Sequence, residues 1–312
     1  MTRTESLTDQ QRQRRAAARE LQAAQLREEL QTKVAELANS ETWLQFLQFS
    51  ARGFHTYSLS NLLLILSQHP TATQVAGYRQ WQARGRQVRK GEKAIKIYGY
   101  STKKITDTDE STGQETTRTL AHYPILSVFA HDQTDPIPDH PAAAADHPAQ
   151  RLTGEDTHGI YTRISTVLGE RGWTVTRQPI PGAANGYTTL DGTRRVVVDT
   201  ALSAVMAAKT GLHEAAHVVL HAEHDPDDTT AAAAISHAGI RETEAESVAY
   251  ILAGLLGLDT SAYSVGYIAE WAEADTDLIR STATRVLAAV RELVDALDHT
   301  EHPATSEPAD TA

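Results

Sequence analysis

Two histidines four residues apart frame a glutamate in the run His213-Glu214-Ala215-Ala216-His217. On a helix, positions i and i+4 lie on one face a turn apart, so both imidazoles reach one ion and the glutamate reaches a water beside it. Neutral imidazoles suit Zn2+, and a hydrolytic zinc centre needs a third protein ligand and one open position. The chain contains no cysteine, which excludes disulfides, thiol nucleophiles and thiolate zinc sites. The third ligand is therefore His, Asp or Glu. A histidine from the same segment would require glycine at position 220 and histidine at 223, where the chain has Leu220 and Glu223.

The later segment 241–250, RETEAESVAY, offers Glu242, Glu244 and Glu246. Its apolar stripe runs through Ala245, Val248, Ala249, Leu252 and Leu256. At about 100° per residue, Glu242 and Glu246 fall on or beside that stripe and Glu244 points away. Glu242 is accordingly expected as third ligand, with Glu246, one turn on, orienting a ligand imidazole. A solvated acidic helix start, favoured by the helix dipole, is the plainer alternative for Glu242. His221 and His224 continue the motif helix and are expected to face solvent. Asp107, Asp109, Ser111 and Gly113 follow calcium-loop spacing only in part, because the glycine falls one place late and the twelfth position is Arg118, so a hairpin turn is expected there. No Walker loop, dinucleotide fingerprint or G-x-S-x-G elbow is present. Metal-assisted hydrolysis is the one legible chemistry. A peptide bond is its expected target, because the C-terminal half has no carboxylate cluster of the kind a two-metal nuclease uses.

Charge supplies a second signal. The chain carries a net charge of −11, yet Arg79 to Lys104 holds nine basic residues against Glu92, a net of +8. The rest, with 20 basic and 39 acidic residues, carries −19. Within or beside the window stand Tyr57, Tyr78, Trp81, Tyr98 and Tyr100, in a chain with 6% aromatics. Cations beside rings are what hold single-stranded nucleic acid, and Trp81, Arg86, Arg89, Lys90 and Lys93 are candidates for that contact. A solvated basic face whose rings pack the core is the alternative.

Several elements must position these groups. Leu21, Leu26, Leu30, Val34 and Leu37 predict an amphipathic helix over 8–38, and two apolar helices follow near Trp43–Phe49 and Leu59–Leu66. The alternation in 94–98 and the run YPILSVFA predict two strands of a small antiparallel sheet with a turn-rich stretch between them. Residues 132–148 hold four of the eleven prolines and read as a linker. A second region opens with a helix over 154–171, then a hairpin about LDGT, a helix from Ala201 to His221 capped by Asp199 or Thr200, and helices near 241–256 and 275–299. The expected class is α+β with two domains: 1–135 as a nucleic-acid-binding domain, 136–150 as linker, 151–300 as a mainly helical metallopeptidase domain, and 301–312 as a disordered tail. The length of 312 residues and 40% apolar content support two ordinary cores. No run of 18 apolar residues exists, and the N-terminal MTRTESLTDQQRQRR has no apolar signal core, so a cytoplasmic protein without membrane contact is expected.

The run YSLSNLLLILSQHPTATQVAGYRQWQARGRQVRKGEKAIKIYG and the later YPILSVFAHDQTDPIP resemble the N-terminal domain of ArdC-type antirestriction proteins, a single-stranded-DNA-binding module, over about residues 40 to 138. The Tyr57-Ser-x-x-Asn61 element, the Val-Ala-Gly-aromatic-x-x-Trp81 element and the basic Gly-Glu-Lys turn carry the likeness. It adds Tyr57 and Asn61 to the nucleic-acid-binding candidates. ArdC-like proteins also carry a C-terminal zincin-like metallopeptidase domain, and the second half is similar to the ImmA/IrrE type of metallopeptidase. The resemblance implies Zn2+ at His213, His217 and Glu242 with Glu214 catalytic, and single-stranded DNA and a protein substrate as partners. It also leaves two further readings: a DNA-binding module on a catalytically silent zincin scaffold, and a regulatory protease that cleaves a repressor.

Overall fold

In the computed structural model, which describes residues 8–108, 115–138, 140, 159–222, 231–260 and 275–301, helices and small sheets form an α+β fold. The chain divides into two compact units, residues 1–35 with 60–146 and residues 36–59 with 147–312. That division differs from a first domain spanning 1–135, because residues 36–59 group with the C-terminal half.

The first unit begins with α1 (Asp9–Glu36), whose Leu26, Leu30 and Val34 are buried at helical spacing. Leu21, expected on the same stripe, is exposed. Three short strands, β1 (Val75–Gly77), β3 (Ile95–Tyr98) and β6 (Ile125–Ala130), make an antiparallel sheet in the order β1-β6-β3. Val75 opposes Ala130 and Ile95 opposes Val128. In β3 the alternation works as expected, with Ile95 and Ile97 buried and Lys96 and Tyr98 half-buried.

As a sheet edge, β3 would leave the N–H and C=O groups of Lys96 and Tyr98 unpaired. Two amides of α3 (Leu59–Gln68) take them instead. Asn61 accepts from the Tyr98 N–H and donates to its carbonyl, both at 2.8 Å. Gln68 accepts from the Lys96 N–H at 2.8 Å and donates to its carbonyl at 2.9 Å. The turn-rich stretch between β3 and β6 contains a ribbon that period-two patterning did not reveal: β4 (Ser101–Thr108) pairs with β5 (Glu115–His122) from Ser101–His122 to Thr108–Glu115. Threonines dominate it, so strand propensity comes without an apolar face. Asp107 opposes Thr116 in that ladder, as a hairpin requires, and the turn itself lies outside the described residues. Finally, α4 (Tyr78–Ala83) leads into β2 (Arg86–Val88), which pairs antiparallel with β7 (Thr134–Pro136).

The second unit has a three-stranded sheet ordered β8-β10-β9, from β8 (Thr174–Gln178), β9 (Gly186–Thr188) and β10 (Arg195–Asp199). Val196, Val197 and Val198 of the central strand are all buried, so both of its faces are covered. The hairpin expected about LDGT joins β9 to β10, with Val197 opposite Tyr187. Around the sheet stand α2 (Ser40–Ser50), α5 (Ile160–Glu170), α6 (Ala204–His221), α7 (Ala231–Leu255) and α8 (Thr276–Glu301). Ser203, rather than Asp199 or Thr200, caps α6, its hydroxyl accepting from the Met206 N–H. The extra turn between strand and helix moves the cap. Helix α2 packs on α7, where the buried Trp43 indole N–H donates to Ser247 Oγ at 3.0 Å. This long-range contact draws residues 36–59 into the second unit. The start of the helix expected at 154, most of the 136–150 linker and the expected disordered tail from 302 lie outside the described residues.

Candidate metal centre and basic face

Helix α6 packs against α5, α7 and the sheet, and its alanine-rich sequence keeps it regular between them. One turn apart on it, His213 Nε2 and His217 Nε2 approach to 3.1 Å. Glu242, on α7, sets Oε2 at 3.4 Å from the first nitrogen and Oε1 at 3.4 Å from the second. All three donor groups lie within 4.8 Å of one another. Tetrahedral bonds of about 2.0–2.1 Å would separate donors by roughly 3.3 Å, so these residues fit a zinc-sized divalent ion. His213 and His217 are mostly covered, while the Glu242 side chain is 60% exposed, so the cluster opens on the glutamate side.

Electrostatics support the grouping. Contact with His213 and His217 holds the Glu242 carboxyl far below the usual carboxylate range, against the opposing effect of burial. Burial alone would lower His213, but Glu242 beside it and the charges of Glu214 and Glu246 outweigh that and raise it.

Glu214 is buried beside the two histidines. The Thr188 hydroxyl, at the end of β9, donates to Glu214 Oε2 at 2.6 Å. Burial pushes the Glu214 carboxyl up, with the Thr188 hydrogen bond and the nearby imidazoles pulling it down. Strand β9 approaches the helix so closely that a Cβ on Gly186 would lie 2.6 Å from Thr210 Cγ2 and 3.1 Å from Glu214 Oε1. Thr188 and Gly186 were not among the sequence candidates, because no motif spacing links the hairpin to the helix.

Two neighbouring residues differ from expectation. Glu244 does point away from His213 and His217, but into the protein: it is 0% exposed, accepts from Arg285 Nη2 of α8 at 2.8 Å and sets Oε2 3.9 Å from His221 Nε2. Burial pushes its carboxyl up to about 7, against the pull of Arg285. Helix α7 is covered by α6 on one side and α8 on another, so a single inward stripe does not describe it. His221, expected in solvent, is buried, its Nε2 3.2 Å from the Arg241 carbonyl and its ring 5.3 Å from that of His217. Burial and then the His217 charge lower it to about 4. His224 lies outside the described residues. Glu246 is half-buried one turn beyond Glu242, with its charge felt at His213.

In the first unit the basic window is sorted by structure into clamps and free cations. Trp81 is 0% exposed, packed with Ala76, Val88 and Phe129, and its indole N–H donates to the Phe129 carbonyl at 2.8 Å. It is a core residue and has no face to offer a base, which corrects its assignment as a nucleic-acid contact. Asn61 is likewise committed to the β3 edge. Arg86 ties β2 to β7 through Thr134 Oγ1 at 2.7 Å and the Thr134 carbonyl at 3.0 Å. Arg89 binds Glu92 at 2.8 Å and Asp135 at 3.3 Å. Lys90 and Lys93 are exposed, as is Arg79, and none of the three is in an ion pair among the described residues. Tyr57 falls in the second unit, its ring tilted against Phe54 at 5.7 Å. No helix among the described residues is long and apolar enough to cross a membrane.

Comparison with known proteins places these features. Residues 18–129 match the model of the N-terminal domain of anti-restriction factor ArdC. A Bacillus anthracis protein described as uncharacterized, pXO2-81, is 26% identical over 278 residues, 79% of this chain, which spans 46% of that protein's length. The metal-free crystal structure of the antirestriction ArdC protein from plasmid R388 is 24% identical, with a TM-score of 0.50 over 78% of this chain and 86% of that one. Its Mn(II)-bound structure is matched at 20% identity and a TM-score of 0.45, over 84% of this chain and 99% of that one. Residues 18–129 therefore form an ArdC-type N-terminal domain, and the chain shares its fold with the R388 protein.

Proposed function

We propose that this chain is an antirestriction protein that binds single-stranded DNA through its first unit and hydrolyses a protein partner in its second, with Zn2+ at His213, His217 and Glu242. The observation that carries the peptidase reading is the convergence of those three donor groups with Glu214 buried beside them. A divalent ion held there supplies Lewis acidity toward a carbonyl oxygen and makes water near it more acidic, towards a pKa of about 7.

The protein's own groups do the rest. Thr188 fixes Glu214 Oε2, which leaves Oε1 to take a proton from the attacking water. As the C–O bond forms and the C–N bond breaks, Oε1 returns that proton to the leaving amine nitrogen. Glu246 orients a ligand imidazole from one turn further along α7. The DNA-binding reading is supported by the ArdC-type domain match and by the concentration of positive charge in an acidic chain. Backbone contacts should make affinity strongly salt dependent and little dependent on sequence.

The test compares wild type with Glu214→Gln for protection of incoming DNA in cells and for cleavage of co-purifying proteins. The variant should keep its metal and its DNA binding and lose cleavage. Equal cleavage by both would remove Glu214 from the chemistry, and equal protection without cleavage by either would make the zincin a scaffold.

A further inference from the structure

Trp81 being sealed in the core leaves open which ring meets a nucleobase, if the single-stranded-DNA reading above holds. Within the first unit a cleft of about 610 Å³ lies beside α4, β2 and β6, walled by Tyr78, Val88, Phe129 and Lys90 among others. Tyr78 opens α4 three residues before Trp81 and is 44% exposed. Its ring meets Phe129 edge-on, at 6.5 Å and 71°. The phenol oxygen accepts from Gln87 Nε2 at 2.5 Å, which fixes the ring while leaving it accessible.

Charge in the cleft is arranged for a base within and phosphates outside. Its two acids, Glu92 and Asp135, are both bound by Arg89, and Gln133 Nε2 donates to the second Glu92 oxygen at 3.1 Å. Counting Lys90, the lining holds two cations and two acids and so no net charge, with hydrogen-bonding groups along it. Lys90 lines it and is in no ion pair among the described residues, and the exposed Arg79 and Lys93 adjoin lining residues in sequence. A neutral slot with a fixed ring suits the flat, uncharged body of a nucleobase, and free cations around it suit the flanking phosphates.

We infer that this cleft is a nucleobase subsite of single-stranded DNA, with Tyr78 as the stacking platform and Lys90 as a phosphate contact. The inference rests on the proposed DNA binding, and the test separates the two. Full-length wild type, Tyr78→Ala, Tyr78→Phe and Lys90→Gln are titrated with a fluorescein-labelled oligo(dT) across a salt series. Wild type is also photo-crosslinked to the same oligonucleotide carrying 5-iododeoxyuridine, and the adduct mapped by mass spectrometry. Tyr78→Ala should weaken binding about 5- to 150-fold with the salt slope unchanged, as expected for one lost stack, and Tyr78→Phe should bind within a few-fold of wild type. Lys90→Gln should lower the salt slope by about 0.7. The crosslink should fall on Tyr78. Unchanged affinity in Tyr78→Ala, or a crosslink on the exposed Tyr100–Tyr123 pair instead, would overturn the subsite while leaving DNA binding intact. Absence of oligo(dT) binding by wild type at low salt would overturn the DNA-binding reading and the subsite with it. The wild-type crosslink decides the matter even if Tyr78→Ala does not fold.

Discussion

Replacing Trp43 by alanine should weaken the proposed metal centre from a position far away in the sequence. Trp43 is 1% exposed, packs against Phe46 at 5.2 Å and donates to Ser247 Oγ on α7, the helix that carries Glu242. Truncating a buried Trp costs about 3–5 kcal/mol. Losing the hydrogen bond leaves a buried hydroxyl without its donor, which adds on the order of 1 kcal/mol. Stability of domains is about 5–15 kcal/mol, so a loss of about 4–6 kcal/mol removes a large share of the second unit's reserve. Urea titration followed by tryptophan fluorescence and by release of bound zinc to a chromophoric chelator separates the units. Trp43→Ala should move the zinc-release midpoint strongly to lower urea. Trp81→Ala, an equally buried change in the first unit, should leave that midpoint nearly in place, and because it removes the first unit's tryptophan the remaining fluorescence reports the second unit alone. A zinc-release midpoint shifted by Trp81→Ala and not by Trp43→Ala would refute the grouping of residues 36–59 with the C-terminal half.

Gly186→Ala should cost about 1–3 kcal/mol in thermal or chemical unfolding, because its Cβ meets Thr210, the Val197 carbonyl at 3.0 Å and Glu214. Asn61→Leu should cost about 1–3 kcal/mol by the same assay, since the Tyr98 N–H and carbonyl lose their partner at the sheet edge. His55, lowered first by burial and then by Arg291, takes up protons more readily unfolded than folded. Its contribution is therefore present above the unfolded value near 6.5 and is lost as pH falls below it, and His55→Gln should flatten that part of a stability-against-pH curve.

Sequence made the candidate metal centre more legible than its surroundings, for a physical reason. The spacing of His213 and His217 is local, and helix geometry alone brings their rings together. Placing Glu242 needed only the angle between residues on one helix. The same angle does not show that α7 is covered on two faces, with a second helix, α8, over Glu244. His221 was misread likewise, since its burial depends on contact with the Arg241 carbonyl of α7. The basic window was legible as charge, but composition does not distinguish an exposed ring from a packed one. Tyr78 and Trp81 stand three residues apart, and only the fold leaves one 44% exposed and seals the other in the core. The division of the chain was least legible, because a contact between Trp43 and Ser247, 204 residues apart, leaves no local pattern.

The most direct measurement is the zinc content of the purified chain and three variants, by elemental mass spectrometry after dialysis against a mild chelator. Wild type and Glu214→Gln should each hold about one zinc per chain, as two imidazoles and one carboxylate require, whereas His217→Ala and Glu242→Gln should lose it. Retention of zinc by Glu242→Gln together with its loss from Glu214→Gln would contradict the assignment, by exchanging the ligand and the base.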